Sequence, residues 1–347
     1  MKVRYDIVVT GVGAISAAGV GILPLVEAVR EKRSILQPVP LEIVGEAGFL
    51  WGKTEGFKAS DFMPPLKARR FDRASLFAVA AAGMALKDAG IDPRAGNGER
   101  VGISLGCGFG GIANSEEFLR GWFQKGTEGL TPMLFPNTVP NAPASNASIE
   151  HGMKGPNVTQ VQRFCSAEAA FQMACRFLEE GRADVMLTGG VDELNPVIMQ
   201  GFASAGQLQS WARGFGEGCG MLVLERREAA SARGAKPLAA IAGIRTVGRL
   251  LRGSEQEGAD RLCGSVNPDL VSFSGCAENV PVLKNRFPEA DTLAAGTIVG
   301  RSLAMGGVAL AALVGLLPEN RTGLHLAASP EGPYFAIDVA GGAPVKP

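Results

Sequence analysis

The stretch GPNVTQVQRFCSAEAAFQMACRFLEEGRADVMLTGG, residues 155–190, decides the fold. Residues 166–181 carry alanine and long side chains without a proline, which predicts a helix, and Gly181 supplies its stop. Residues 184–188 then read as a short buried strand that runs into paired glycines. A helix joined by a tight turn to a buried strand is the building unit of a layered α/β protein.

The same alternation continues outward in both directions. Upstream, residues 7–10 (IVVT) form a β-branched run followed by Gly11, Gly13 and Ala14, a buried strand that turns sharply. Residues 23–30 predict an amphipathic helix, and residues 38–66, with scattered glycine and proline, an irregular surface excursion. The alanine-rich run 75–89 predicts a buried helix closed by Gly90, residues 101–105 a strand leading into GCGFGG, and residues 141–152 a further helix. Downstream, residues 220–225 predict a strand and Arg226 the start of a short charged helix. Residues 270–273 read as a strand, 302–317 as an apolar helix of small residues, and 334–339 as the last strand. There is no low-complexity segment and no short-period repeat.

Composition narrows the function classes. With 347 residues the chain can bury a large core, and 46% hydrophobic against 20% charged residues fits a globular protein. Thirty-four basic and 34 acidic residues cancel, so no nucleic-acid or membrane-surface partner is expected. Forty-seven glycines suit tight strand–helix turns and close backbone approaches. The six cysteines form no CxxC pair, so reduced thiols, no metal and no cofactor are the expectation. The start MKVRYDIVVTGVG has no apolar leader and no stretch is long enough for a membrane span, so the expected location is the cytoplasm.

Five segments in order resemble the β-ketoacyl synthase family, of thiolase-like fold. They are VVTGVGAISAAGVG, RRFDRASLFAVAAAGMALKDAG, VGISLGCGFGG, FPNTVPNAPASNASIEHGMKGPNVT, and the pair GRADVMLTGGVDEL and GFGEGCGMLVLE; the likeness spans residues 7–225 and continues more faintly to about 315. It implies an α/β fold of layered α/β/α/β/α architecture built from two similar halves, here placed at 1–230 and 231–347. It also implies a cysteine nucleophile, two histidines that stabilise charge in malonyl decarboxylation, and a supporting lysine.

This chain departs from that set. Counting forward from Gly155-Pro156-Asn157 and back from Gly181 puts the nucleophile position at Phe164 both times, leaving Cys165 one residue late. Such a step turns a side chain by roughly 100° near a helix start. Ser274 replaces the first histidine, Gly296 the lysine and Arg301 the second histidine. Arg301 is expected to form an internal salt bridge, for which Glu168 and Asp192 are candidates. His151 and His325 lie outside any segment resembling a catalytic motif. The family's C-terminal Gly-Phe-Gly-Gly-type loop is assigned to Ala340-Gly341-Gly342-Ala343, with a truncated final strand. The basic run Lys67, Arg69, Arg70 and Arg73 reads as a solvated face, with an acidic carrier protein as the alternative contact.

The implied function is a chain-length-factor-type subunit of type II polyketide or fatty-acid biosynthesis. It would pair with an active ketosynthase, or with itself, and meet acyl carrier protein through that partner. The wall of the partner's acyl tunnel would come from 131–144, with Met133, Leu134, Phe135, Asn137 and Thr138 as candidates. Two alternatives stay open: an acyltransferase using Cys165 without condensation, and a homodimeric ligand-binding or scaffold protein. Phenylalanine at the nucleophile position departs from chain-length factors, which often carry glutamine there.

Overall fold

The computed structural model describes residues 6–206 and 214–345. The strands that form its main sheet are β1 (Ile7–Ser16), β2 (Val101–Cys107), β3 (Asn157–Gln160), β4 (Val185–Asp192), β5 (Gly218–Arg226), β6 (Ala239–Val247), β7 (Leu270–Gly275), β8 (Asp291–Leu293), β9 (Thr322–Ala328) and β10 (Tyr334–Gly341). The principal helices are α1 (Ile22–Arg30), α2 (Arg73–Ala89), α3 (Ile112–Lys125), α4 (Ala142–His151), α5 (Ser166–Glu179), α6 (Pro196–Ser204), α7 (Glu255–Cys263) and α8 (Gly306–Leu316).

Strand order runs β8-β7-β9-β10-β6-β1-β5-β4-β2-β3. Counted within each half, both halves follow the order first, fifth, fourth, second, third. They also share directions: the first and fifth strands pair antiparallel, the fifth and fourth antiparallel, and the remaining pairs parallel. The architecture is therefore two similar halves, joined where β1 pairs with β6 through Ile7 opposite Ile241. Strands β3 and β8 end the path, each pairing with one neighbour among the described residues.

Alternation along the strands builds the layers. Met221 and Val223 face one cluster with α2 and α4, while Leu222 and Leu224 face a central cluster holding α5 and α8. Leu324 and Leu326 face a third cluster with Ala259 and Leu262 of α7, while Ala327 turns to the centre. A strand with both faces covered in this way belongs to a buried sheet. Helix α8 is apolar all round and nine of its eleven residues are buried, as a helix between two sheets requires. These are the five layers α/β/α/β/α.

Glycines 11 and 13 explain how closely α2 lies on β1. A Cβ at Gly11 would stand 2.2 Å from the Ala85 carbonyl oxygen, and one at Gly13 2.2 Å from that of Ala81. Helix α2 begins two residues before its expected start because Asp72 caps it, accepting from the Ser75 N–H at 2.8 Å. Helix α8 begins four residues later than expected, since Ser302 and Ala304 are held outside it by Asp192. Two short strands of the stretch after α1, Gln37–Pro38 and Leu50–Gly52, form a small sheet with Gly214–Gly216, which precedes β5. No helix among the described residues is long and apolar enough to cross a membrane.

Candidate functional site

The turn from β3 into α5 carries Phe164 and Cys165, the residue expected at the nucleophile position and its neighbour. Arg163 adopts φ of 51°, and Arg163–Cys165 form a 3-10 turn that delivers the chain into α5. Phe164 is buried and packs on the end of β7: a Cβ on Gly275 would touch its Cβ at 3.1 Å. Cys165 points away into the central core, fully buried, and its thiol donates to the Pro333 carbonyl oxygen at 3.3 Å. Burial pushes this thiol well above its ordinary pKa, and the nearby Glu168 charge adds to the effect. Iodoacetamide at pH 8 should therefore leave Cys165 unmodified in the native chain. Mass mapping should find it alkylated after denaturation; rapid native alkylation would contradict the geometry.

The other three replaced positions meet in one place. Ser274, Gly296 and Arg301 line a cavity of about 20 Å³ with Gly275, Glu278, Val299 and Met305. About 10–15 Å³ holds a single water, so there is no room here for an acyl or malonyl group. Two side-chain contacts close the space. Arg301 lies across Gly296, where an added Cβ would meet its Cγ at 2.6 Å. Its guanidinium then pairs with Glu278 on the far side of the cavity. Burial lowers the Arg301 pKa to about 10.

The partner of Arg301 corrects the expectation of Glu168 or Asp192. Its backbone is fixed by the Gly214 carbonyl and the Gly216 N–H, which aims the side chain at Glu278. Asp192 is committed elsewhere, accepting from the Gly108 N–H at 2.8 Å, the Ala304 N–H at 2.7 Å and the Ser302 hydroxyl at 2.5 Å. Full burial raises the Asp192 pKa to about 6. Its neighbour Glu193 accepts from the Ala113 N–H at 2.8 Å and the Ala74 N–H at 3.3 Å, tying the first turns of α3 and α2 together. Burial pushes Glu193 up to about 7.

Glu168 has a different role, and with it His325 is also reassigned. His325 on β9 is fully buried beside Ser274, not remote from the catalytic positions as its place in the sequence suggests. Its Nε2 lies 2.8 Å from Glu168 Oε1, and its Nδ1 lies 3.1 Å from the Ser272 hydroxyl. The Ser274 hydroxyl donates to the same carboxylate oxygen at 2.5 Å. The parallel pairing of β7 and β9 sets Ser272 opposite His325, so the sheet register makes this contact. His151 serves packing: its Nε2 donates to the Val79 carbonyl oxygen at 2.8 Å across α4 and α2.

Two more expectations are corrected. The glycines of Ala340-Gly341-Gly342-Ala343 do not form the loop at the site; Gly341 ends β10 and pairs with Ala239. The β9–β10 hairpin turn, 329–333, comes instead to the start of α5, where the Pro333 carbonyl accepts from the Cys165 thiol. The final strand is not truncated, since β10 pairs along its length with β6 and β9. Among the tunnel-wall candidates, Met133 and Phe135 are exposed and Leu134 partly so. Asn137 is buried instead, donating to the Arg70 carbonyl oxygen at 2.5 Å and accepting from Asn146 at 3.0 Å. Thr138 also closes its own turn, donating to the Phe135 carbonyl oxygen at 2.9 Å.

The basic run divides. Arg73 is tied to Glu217 at 2.6 Å and lies over the Phe77 ring, and Lys67 pairs with Glu150 at 2.6 Å. Arg69 and Arg70 are exposed. All six cysteines are buried and free, and no group of three or more metal-ligating side chains occurs among the described residues.

Comparison with known proteins agrees with the layered α/β fold. Residues 4–230 match the model of the β-ketoacyl synthase N-terminal domain. The chain belongs to the β-ketoacyl synthase family. It is 29% identical over 326 residues to 3-oxoacyl-[acyl-carrier-protein] synthase 2 of Staphylococcus aureus strain MRSA252, covering 84% of this chain and 79% of that one. It is 30% identical over 261 residues to the synthase of the same name from Vibrio cholerae, covering 70% and 63%. Among solved structures it superposes on a type II polyketide ketosynthase complexed with its acyl-carrier protein (TM-score 0.84, 20% identity, 98% and 100% covered). It also superposes on the ishigamide ketosynthase/chain length factor (TM-score 0.80, 20% identity, 96% and 99% covered).

Proposed function

We infer that this chain is a non-condensing subunit of chain-length-factor type. It pairs with an active β-ketoacyl synthase in type II polyketide or fatty-acid biosynthesis and shapes the acyl tunnel of that partner. The observation that carries the reading is the state of the centre. On the family's pattern the four catalytic positions fall on Phe164, Ser274, Gly296 and Arg301, and the last three line a cavity of only about 20 Å³. Condensation needs a thiolate nucleophile and donors aimed at developing negative charge, in a space that admits an acyl thioester. The nearby thiol is buried in the core and kept protonated, which disfavours transfer through Cys165.

A second feature supports a partner-shaping role. Helix α3 has no buried residue, and Leu119, Trp122 and Phe123 on it, with Met133 and Phe135 beyond it, are exposed. Phe118 and Phe135 pack at 5.7 Å, so these side chains form one area rather than scattered points. Exposed apolar area of this kind marks an interaction surface. The exposed Arg69 and Arg70 leave a cationic face for an acidic carrier protein.

The test is co-production with an intact β-ketoacyl synthase and an acyl carrier protein from the same organism. A one-to-one complex is expected, with malonyl-thioester condensation by the complex and none by this chain alone. Met133→Trp should shorten the product without abolishing condensation. Condensation by the isolated chain, or an acyl adduct on Cys165 by intact mass, would sink the reading.

A further inference from the structure

We propose that Glu168 is a built-in ligand: its carboxylate occupies a carboxylate-binding site formed by the donors of His325 and Ser274, with Gly306 leaving room for it.

Four elements converge on this one side chain. Glu168 stands in the first turn of α5, Ser274 on β7, His325 on β9 and Gly306 at the start of α8. The Ser274 hydroxyl donates to Oε1 at 2.5 Å and His325 Nε2 approaches the same oxygen at 2.8 Å. Gly306 is a glycine for a reason visible at this site, since a Cβ there would stand 2.0 Å from Oε1 and 2.8 Å from Oε2. The carboxylate is fully buried, while Oε2 has no hydrogen-bond partner among the described residues.

A buried carboxylate is costly and is retained only where donors are assembled for it. Here both donors come from the second half of the protein, on β7 and β9, whereas the acceptor is supplied by a single flexible side chain reaching in from α5 of the first half. That division is the layout of a receptor and its anion. Glu168 reaches the site through its own two methylenes, so removing them leaves a void shaped for a small monocarboxylate, with the donors still in place. The site chemistry therefore specifies formate or acetate as a replacement, whichever subunit the chain pairs with.

The experiment is rescue of Glu168→Ala in the full-length chain, read by thermal unfolding in sodium formate or acetate against sodium chloride at matched ionic strength. The variant should gain several degrees, saturably, with formate and acetate and not with chloride, while the wild-type chain responds equally to all three. Glu168→Ala/His325→Ala should lose the response. If Glu168→Ala does not refold in chloride, the yield of folded chain becomes the readout: recovery in formate alone supports the site. Equal behaviour in formate and chloride, no recovery in either, or a response that survives in the double variant would overturn it.

Discussion

Replacing His325 with alanine is expected to lower the free energy of unfolding by about 2–5 kcal/mol, the range for truncating a large buried side chain with loss of its hydrogen bonds. The imidazole is buried with a hydrogen-bonding neighbour at each nitrogen, Glu168 on one side and Ser272 on the other. Truncation leaves the Glu168 carboxylate in the core with only Ser274 donating to it, and it also leaves a cavity. Urea unfolding followed by circular dichroism measures the loss. Replacing both partners with leucine should recover part of it, because an apolar pair leaves no uncompensated polar group. A loss below about 1 kcal/mol for the single variant, the usual net value of one hydrogen bond, would show that the contact is not formed.

Acidity should stabilise this protein between about pH 4 and 7. Asp192 and Glu193 are raised by burial to about 6 and about 7, from 3.8 and 4.5. The folded state therefore holds protons more tightly than the unfolded chain in this window. For a raised pKa the stabilisation is complete below the unfolded value and disappears as pH passes the folded value. At 1.36 kcal/mol per pKa unit, each group contributes at most about 3 kcal/mol of difference between pH 4 and pH 8. Asp184 and Asp269, held below the usual carboxylate range by Arg100 and by Thr322 respectively, act only at more acidic pH. Denaturant midpoints should thus fall from pH 5 to pH 8. Glu193→Gln, which keeps an acceptor for the Ala113 N–H, should remove about half of the slope. A midpoint that rises steadily over this window would refute the assignment.

The segment around Phe164 was legible because two markers bracket it. Counting from the turn after Asn157 and from the helix stop at Gly181 converges on Phe164, which lies against the end of β7. Ser274, Gly296 and Arg301, far apart in the sequence and singled out from it, share one cavity. Glu168 and His325 were not legible as a pair, since 157 positions separate them and a histidine in GLHLAA resembles ordinary strand core. Their meeting depends on strand register and on the central packing of α5. The same limit hid Glu278 as the partner of Arg301. Helix α3, and strands β6 and β9, went unassigned because small or polar residues interrupt their periodicity. The Gly-rich end of β10 drew a loop assignment, whereas Gly341 closes a strand paired with β6.

One edge of the sheet has a consequence for handling the protein. Strand β3 ends the path with one side of its backbone unmatched among the described residues, and Val161 just beyond it is exposed. Natural edges are normally blunted by charge, proline or a covering segment, and an unblunted one recruits strands without discrimination. Asn157, Val158, Thr159 and Gln160 carry no charge to prevent this. Solubility then becomes a matter of stoichiometry: chain made in excess of whatever normally lies along that edge will be lost to aggregates, and the soluble yield will follow the supply of its neighbour.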